Sequence, residues 1–168
     1  KQDDCLEEIA KKFNMSCYRG SEDDVLDRYY QAVNNHSKDI ETIVRITGDC
    51  PLHDPIIIKE LMTYFSSNNF DYVSNALEPT YPDGLDVEVF SYNALSKAWN
   101  NAKLLSEREH VTPYIIKNKA QFSQKNIAYT EDLSHHRWTL DEESDYQFIK
   151  SIYEGLYPSN KYFRMRDV

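Results

Sequence analysis

Cysteine, positive charge and long apolar runs are all scarce in this chain of 168 residues. Its three cysteines, Cys5, Cys17 and Cys50, are odd in number and widely spaced, which argues against a disulfide framework and fits reduced thiols. Nineteen Lys and Arg stand against 28 Asp and Glu, a formal net charge of -9, so the surface is not built mainly to grip nucleic acid or an anionic membrane. No apolar run approaches the length that spans a bilayer, and the opening KQDDCLEEIAKK lacks the apolar core of a signal peptide. The chain therefore reads as cytoplasmic and free of membrane. It begins at Lys1 without an initiator Met, already in a helical pattern, as a fragment would.

What is present alternates between helical and strand periods. Leu6, Ile9, Ala10 and Phe13 recur at helical spacing, and MSCYR offers a short strand before Gly20. Ser21 stands three residues before Asp24 at the start of a second helix, whose apolar stripe is Val25, Leu26, Tyr29, Ala32 and Val33. ETIVRI is a strand that ends at Thr47-Gly48; Asp54-Pro55 then caps and opens the helix PIIIKELMTYF. DYVSN and LDVEVF are two further strands, separated by the turn-rich EPTYPDG. Ser91 caps YNALSKAWNNA, and Ser106 with Glu109 forms a capping-box pattern for a segment that Pro113 must kink or split. NIAYT and HRWTL complete the strands, and a last helix from about Glu143 to Leu156 turns Tyr146, Ile149, Ile152, Tyr153 and Leu156 inward.

This order predicts a single α/β domain over residues 1–168 with a mostly parallel sheet, because a parallel crossover needs a helix or something as long. In open α/β sheets ligands bind beyond the carboxyl ends of strands. Asp49 lies just past such an end, and Asp141 does the same after HRWTL. Two carboxylates at one sheet edge suit Mg²⁺, which takes a few oxygens and leaves other positions to water and phosphate. Each also has a plainer reading, Asp49 as a turn residue and Asp141 as the N-cap of the last helix. His135 and His136 are adjacent, so strand geometry would point them to opposite faces.

The ordered blocks RGSEDDVLDRYYQA, VRITGDCPLHDP, DYVSN, YPDGLDVEVFSYNAL, SEREHVTPYI and NIAYTEDLSHHRWTLDEESDYQFIKSIYE resemble the spore coat polysaccharide biosynthesis protein F family. That family lies within the cytidylyltransferases that include the CMP-sialic acid and CMP-Kdo synthetases. The resemblance implies the nucleotide-diphospho-sugar transferase fold, of which this chain would be about the C-terminal two-thirds. Relatives begin with a strand and a basic, glycine-containing phosphate loop. Nothing like it occurs here, so the chain by itself is expected to be inactive. The implied reaction is transfer of CMP from CTP to a sugar or sugar acid, with release of pyrophosphate. The alternatives are a glycosyltransferase, although no DxD signature is present, and a noncatalytic dimeric binding protein of the same fold.

The resemblance also implies site residues. Asp49 and Asp141 match Mg²⁺-holding, catalytic positions; Ser21, Asp24 and Arg28 match nucleotide contacts; Asp83, Asp86, Arg108 and His110 match the acceptor pocket. For these last two groups a capped surface helix and a plain hairpin turn stay open as readings. Residues 76–133 correspond to an antiparallel arm that in relatives packs on a second subunit, which implies a homodimer with PDGLDVE, Trp99 and SEREHVTPYI at or near its interface.

Overall fold

The computed structural model describes residues 3–37 and 39–168. In chain order the elements are α1 (Asp4–Lys12), α2 (Val25–His36), β1 (Thr42–Arg45), α3 (Pro55–Ser66), β2 (Tyr72–Ser74) and β3 (Glu88–Ser91). After these come α4 (Tyr92–Asn101), α5 (Leu105–His110), α6 (Pro113–Lys117), β4 (Gln124–Asn126), α7 (Glu143–Leu156) and a closing 3-10 turn (Met165–Asp167). They divide into two units, Lys1–Ile40 with Leu95–Lys117, and Glu41–Ala94 with Asn118–Val168.

The second unit holds the sheet, in the order β1-β3-β2-β4. β3 runs antiparallel to both β1 and β2, while β2 and β4 are parallel. Three strands thus point one way and β3 is inserted against them. The sheet is mixed where a mostly parallel one was expected, because β3 enters from a loop out of β2 and needs no crossover helix. Its core gathers Ile57, Leu61 and Phe65 from α3, Val73 and Val89 from the sheet, Leu85 and Val87 leading into β3, and Ile149 from α7. Each fully buried Leu or Val side chain contributes roughly 1.5–3 kcal/mol of transfer free energy. The i, i+4, i+8 spacing of the α3 residues is the period that puts them on one face.

Asp54 caps α3 as its position before Pro55 predicts, accepting from the Ile56 N–H at 2.8 Å. It also accepts from the Met165 N–H at 3.1 Å, so the same buried carboxylate ties the closing turn to the start of α3.

In the first unit Asp24 caps α2 by accepting from the Asp27 N–H at 2.9 Å. α5 is capped differently from the expectation. The buried Glu107 accepts from the Lys103 and Leu104 N–H groups, each at 3.2 Å, and Ser106 lies inside the helix. Pro113 does split the segment, opening α6 at its first position, where a missing N–H costs nothing. MSCYR and HRWTL are not strands. Residues 15–19 are exposed, and Arg137 makes only an isolated bridge to Asp83, itself outside the named strands, so β propensity there lacks the ladder partners that would realise it. β4 sits earlier than NIAYT, at Gln124–Asn126. Among the described residues no helix is long and apolar enough to cross a membrane.

Candidate functional site

The strip from His136 to Asp141, between the turn after Leu133 and α7, organises the carboxylates of the second unit. At one end the Asp83 N–H donates to the His136 carbonyl at 2.9 Å and the Trp138 N–H donates to the Asp83 carbonyl at 2.7 Å. At the other end the Leu140 N–H donates to the Asp49 carbonyl at 2.8 Å. One short strip therefore pins the loop after β1, the turn before β3 and the entry to α7. The segments bearing Asp49, Asp83 and Asp86, and Asp141 are joined through it.

Asp49 follows β1 with its side chain in a local network. Thr47 and its own backbone hold the carboxylate below the usual range, against a partial burial that raises it, and Arg45 adds attraction. The Cys50 thiol lies 3.5 Å from Asp49 Oδ1 and 3.1 Å from the Thr47 hydroxyl. Burial pushes that thiol up to about 11, so it stays protonated near neutral pH. The turn reading of Asp49 is met too, since its backbone sits in a turn.

Asp141 is not the cap of α7. The capping acceptor is Asp145, whose Oδ2 receives the Asp141 and Glu142 N–H groups at 2.9 and 3.0 Å. Arg137 bridges the two carboxylates, 2.8 Å from Asp141 and 2.7 Å from Asp145. Asp141 therefore keeps an exposed carboxylate beyond the helix, positioned by its neighbours.

The loop that leads into β3 is held at several points. Gly84 adopts φ +104°, and a Cβ there would meet the Trp138 carbonyl carbon at 2.7 Å, so only glycine lets strip and loop meet. Buried Asn75 brackets the next residues, donating from Nδ2 to the Leu85 carbonyl at 2.9 Å and accepting from the Val87 N–H at 2.8 Å. Beneath them Glu88 accepts from the Tyr72 hydroxyl at 2.6 Å and pairs with Arg45. Asp86, between the two bracketed residues, makes no hydrogen bond within the described residues. Although the residue is exposed, protein crowding its carboxyl and the charges of Asp83 and Glu88 push it up to about 6, against the pull of Arg45.

The remaining predicted residues lie in the first unit, and Ser21, Asp24, Arg28 and Arg108 are bonded to one another. Ser21 Oγ accepts from the Asp24 N–H at 3.0 Å, and Arg28 donates to the Ser21 carbonyl at 2.9 Å. Arg108 forks onto Asp24, with Nε at 2.9 Å and Nη2 at 2.6 Å from Oδ2, and sends Nη1 to the Trp99 carbonyl at 2.7 Å. Trp99 stacks on Tyr30 with centroids 4.1 Å apart and donates to Asp27 at 2.7 Å. His110 is exposed and opens a γ-turn of the rarer hand: Val111 has φ 73° and ψ -57°, and the Thr112 N–H donates back to the His110 carbonyl at 2.9 Å. A buried, β-branched residue in that conformation stores local strain.

Sequence reasoning missed Asn75, the Arg45–Glu88–Tyr72 group and the Arg137–Asp145 support. Glu88 had a visible signal, a carboxylate inside an otherwise apolar alternation. Arg137 had one too, four residues before Asp141 and eight before Asp145. His135 and His136 do not point apart as expected. Their rings lie 4.1 Å apart, because the segment turns instead of running as a strand.

Among the described residues no three His, Cys, Asp or Glu side chains gather as a ready-made metal cage. Asp49 and Asp141 offer hard oxygen donors, and the protonated Cys50 does not compete as a soft ligand. That donor chemistry fits Mg²⁺ bound largely by water and phosphate.

Comparison with known proteins bears on the whole chain. A family model described as cytidylyltransferase matches residues 2–163. An uncharacterized protein of Methanocaldococcus jannaschii is 42% identical over 154 residues, 90% of this chain and 61% of that protein. The spore coat polysaccharide biosynthesis protein SpsF of Bacillus subtilis is 30% identical over 157 residues, 90% of this chain and 62% of that protein. The chain thus spans under two-thirds of the length of both curated relatives. A solved structure of a cytidylyltransferase from Leptospira borgpetersenii serovar Hardjo-bovis superposes with a TM-score of 0.92 at 35% identity, covering 98% of this chain and 68% of that one. Sequence blocks, fold and family model agree over nearly every residue: the chain belongs to the cytidylyltransferase family.

Proposed function

We propose that the whole protein transfers a cytidylyl group from CTP to a sugar or sugar acid and releases pyrophosphate, in the making of surface polysaccharide precursors. The observation that carries this reading is the pinned strip. In a cytidylyltransferase-family chain, it joins the Asp49, Asp83–Asp86 and Asp141 segments at one edge of the sheet. Asp49 and Asp141 would hold Mg²⁺, which when bound neutralises charge on the phosphate oxygens. The protein's own part is positioning: Thr47 and Cys50 orient Asp49, and Arg137 orients Asp141.

Ser21, Asp24 and Arg28 are proposed for nucleotide contact, and Asp83, Asp86, Arg108 and His110 for the acceptor. Arg108 spends its fork on Asp24, so a role toward an anionic acceptor requires that pair to open. Asp24 likewise serves first as the cap of α2.

Asp49→Asn tests the metal role. In the whole protein it is expected to keep the wild-type melting temperature within about 2 °C, because an exposed turn carboxylate contributes little to folding. It should lose the Mg²⁺-dependent rise in melting temperature that CTP gives the wild type. A CTP-induced rise of the same size in the variant would remove Asp49 from the metal site.

A further inference from the structure

The loop leading into β3 carries a carboxylate, Asp86, that makes no hydrogen bond within the described residues. Asp83 is exposed at the turn, and Glu88 is spent on Arg45 and Tyr72. Asp86 stands on a backbone that is bonded on both sides. Asn75 fixes the backbone on both sides of it, and Leu85 and Val87 are fully buried, so strand alternation sends the Asp86 side chain to the opposite face. Gly84, packed on the Trp138 carbonyl, fixes the turn just before it. A carboxylate placed this firmly, crowded by protein and by the charges of Asp83 and Glu88 with only Arg45 opposing them, is costly to keep ionised for folding alone. Such placements mark groups poised for a ligand or a proton.

Asp86 also lies within the field of the proposed site. The Cys50 thiol is raised by the charges of both Asp49 and Asp86, and Arg45 attracts both carboxylates. A second, independent gap sits in the pinned strip. Thr139 is 9% exposed, and its hydroxyl has no partner among the described residues. A buried hydroxyl left unpaired costs free energy that a bound water or a ligand's hydroxyl would recover. The Thr139 backbone nitrogen is 3.0 Å from where a Gly84 Cβ would stand, so the strip at this residue lies against the loop that carries Asp86.

We infer that Asp86 is the general base of the transfer, taking the proton from the acceptor hydroxyl as that oxygen attacks the α-phosphorus. The inference rests on the proposed reaction. The acceptor O–H bond breaks and its proton passes to an Asp86 carboxylate oxygen. The freed oxygen forms the bond to the α-phosphorus, and the bond from that phosphorus to the bridging oxygen breaks. Pyrophosphate leaves with the electron pair. The groups that face Asp86 set its basicity: Asp83 and Glu88 from its own segment make the carboxylate a better base, Arg45 on β1 opposes them, and the Cys50 thiol stays neutral.

The test is pyrophosphate release by the whole protein between pH 5 and 8, for wild type, Asp86→Asn and Asp86→Glu, with CTP binding followed in parallel. Wild type is expected to lose kcat on acidification with a midpoint near 6, where Asp86 protonates. Asp86→Asn should lose about 10²–10⁴-fold in kcat, the usual share of a positioned general base, with its acid limb gone and its CTP affinity within about threefold. Its melting temperature at pH 8 should not fall: a carboxyl raised in the fold destabilises above its folded pKa, and the amide removes that charge. Asp86→Glu should restore part of kcat together with an acid limb, which guards against a misfolded amide variant. An Asp86→Asn enzyme that keeps kcat within about threefold, or keeps the same acid limb, overturns the inference while leaving the transfer reaction standing. A wild type that binds CTP but never releases pyrophosphate overturns both.

Discussion

Glu88 shows how single residues settle what the sheet can carry. A carboxylate on a core strand is tolerable only with partners, and the Arg45 guanidinium and the Tyr72 hydroxyl serve here. Its charge and burial raise the Tyr72 phenol far above its ordinary range, so the hydroxyl stays a donor. Glu88→Ala strips both contacts and takes the ion-pair partner from a half-buried Arg45; it should cost about 3 kcal/mol, measured by denaturant unfolding. At this scale the sequence made legible the place of Asp49 in the turn after a β-rich run. It was silent about partners that lie far along the chain. Asp24 and Arg108 were assigned to different ligands, yet 84 positions apart they form one bidentate pair. No local pattern records such a distance. Asp141 was read as a cap or a ligand, and only the geometry of Asp145 removes the first.

At the scale of elements, caps and periods spoke clearly where they agreed. α3 and α4 begin where their polar starts predict, α2 starts only at Val25 with Asp24 in place of Ser21 as its cap, and α7 spans Glu143–Leu156 as its apolar spacing requires. Ser91 Oγ accepts from the Ala94 N–H at 3.0 Å, as a cap for α4 should. α1 is the exception. Its stripe forms, but Leu6 and Ile9 are more than half exposed. Strands were over-read, since β propensity is realised only against a neighbour, and MSCYR has none among the described residues. The γ-turn at Val111 gave no signal, because nothing in EHVTP demands a positive φ for valine. The strip-to-loop junction carries the firmest prediction here. Gly84→Ala combines a φ of +104° with a Cβ 2.7 Å from backbone, and should cost about 2–3 kcal/mol and slacken the loop that carries Asp86. Faster amide exchange at Leu85 and Val87 would report the slackening; unchanged exchange would show that Asn75 alone holds the loop.

For the whole molecule, we propose a two-fold homodimer whose arm lies within residues 76–133, as the family resemblance implies. PDGLDVE, Trp99 and SEREHVTPYI would lie at or near its interface. A self-complementary surface gives each such residue a symmetric counterpart. Sedimentation at micromolar concentration should show a species of twice the chain mass. A folded monomer with no concentration dependence would end the proposal. The central claim concerns the reaction, and it is tested most directly by incubating the whole protein with CTP, Mg²⁺ and a panel of sugars and sugar acids, then identifying the products by mass. The prediction is a CMP-sugar formed together with an equal amount of pyrophosphate, with no comparable product from ATP or UTP. Release of a nucleoside diphosphate from a nucleotide sugar, with no CTP-dependent pyrophosphate from any acceptor, would contradict it.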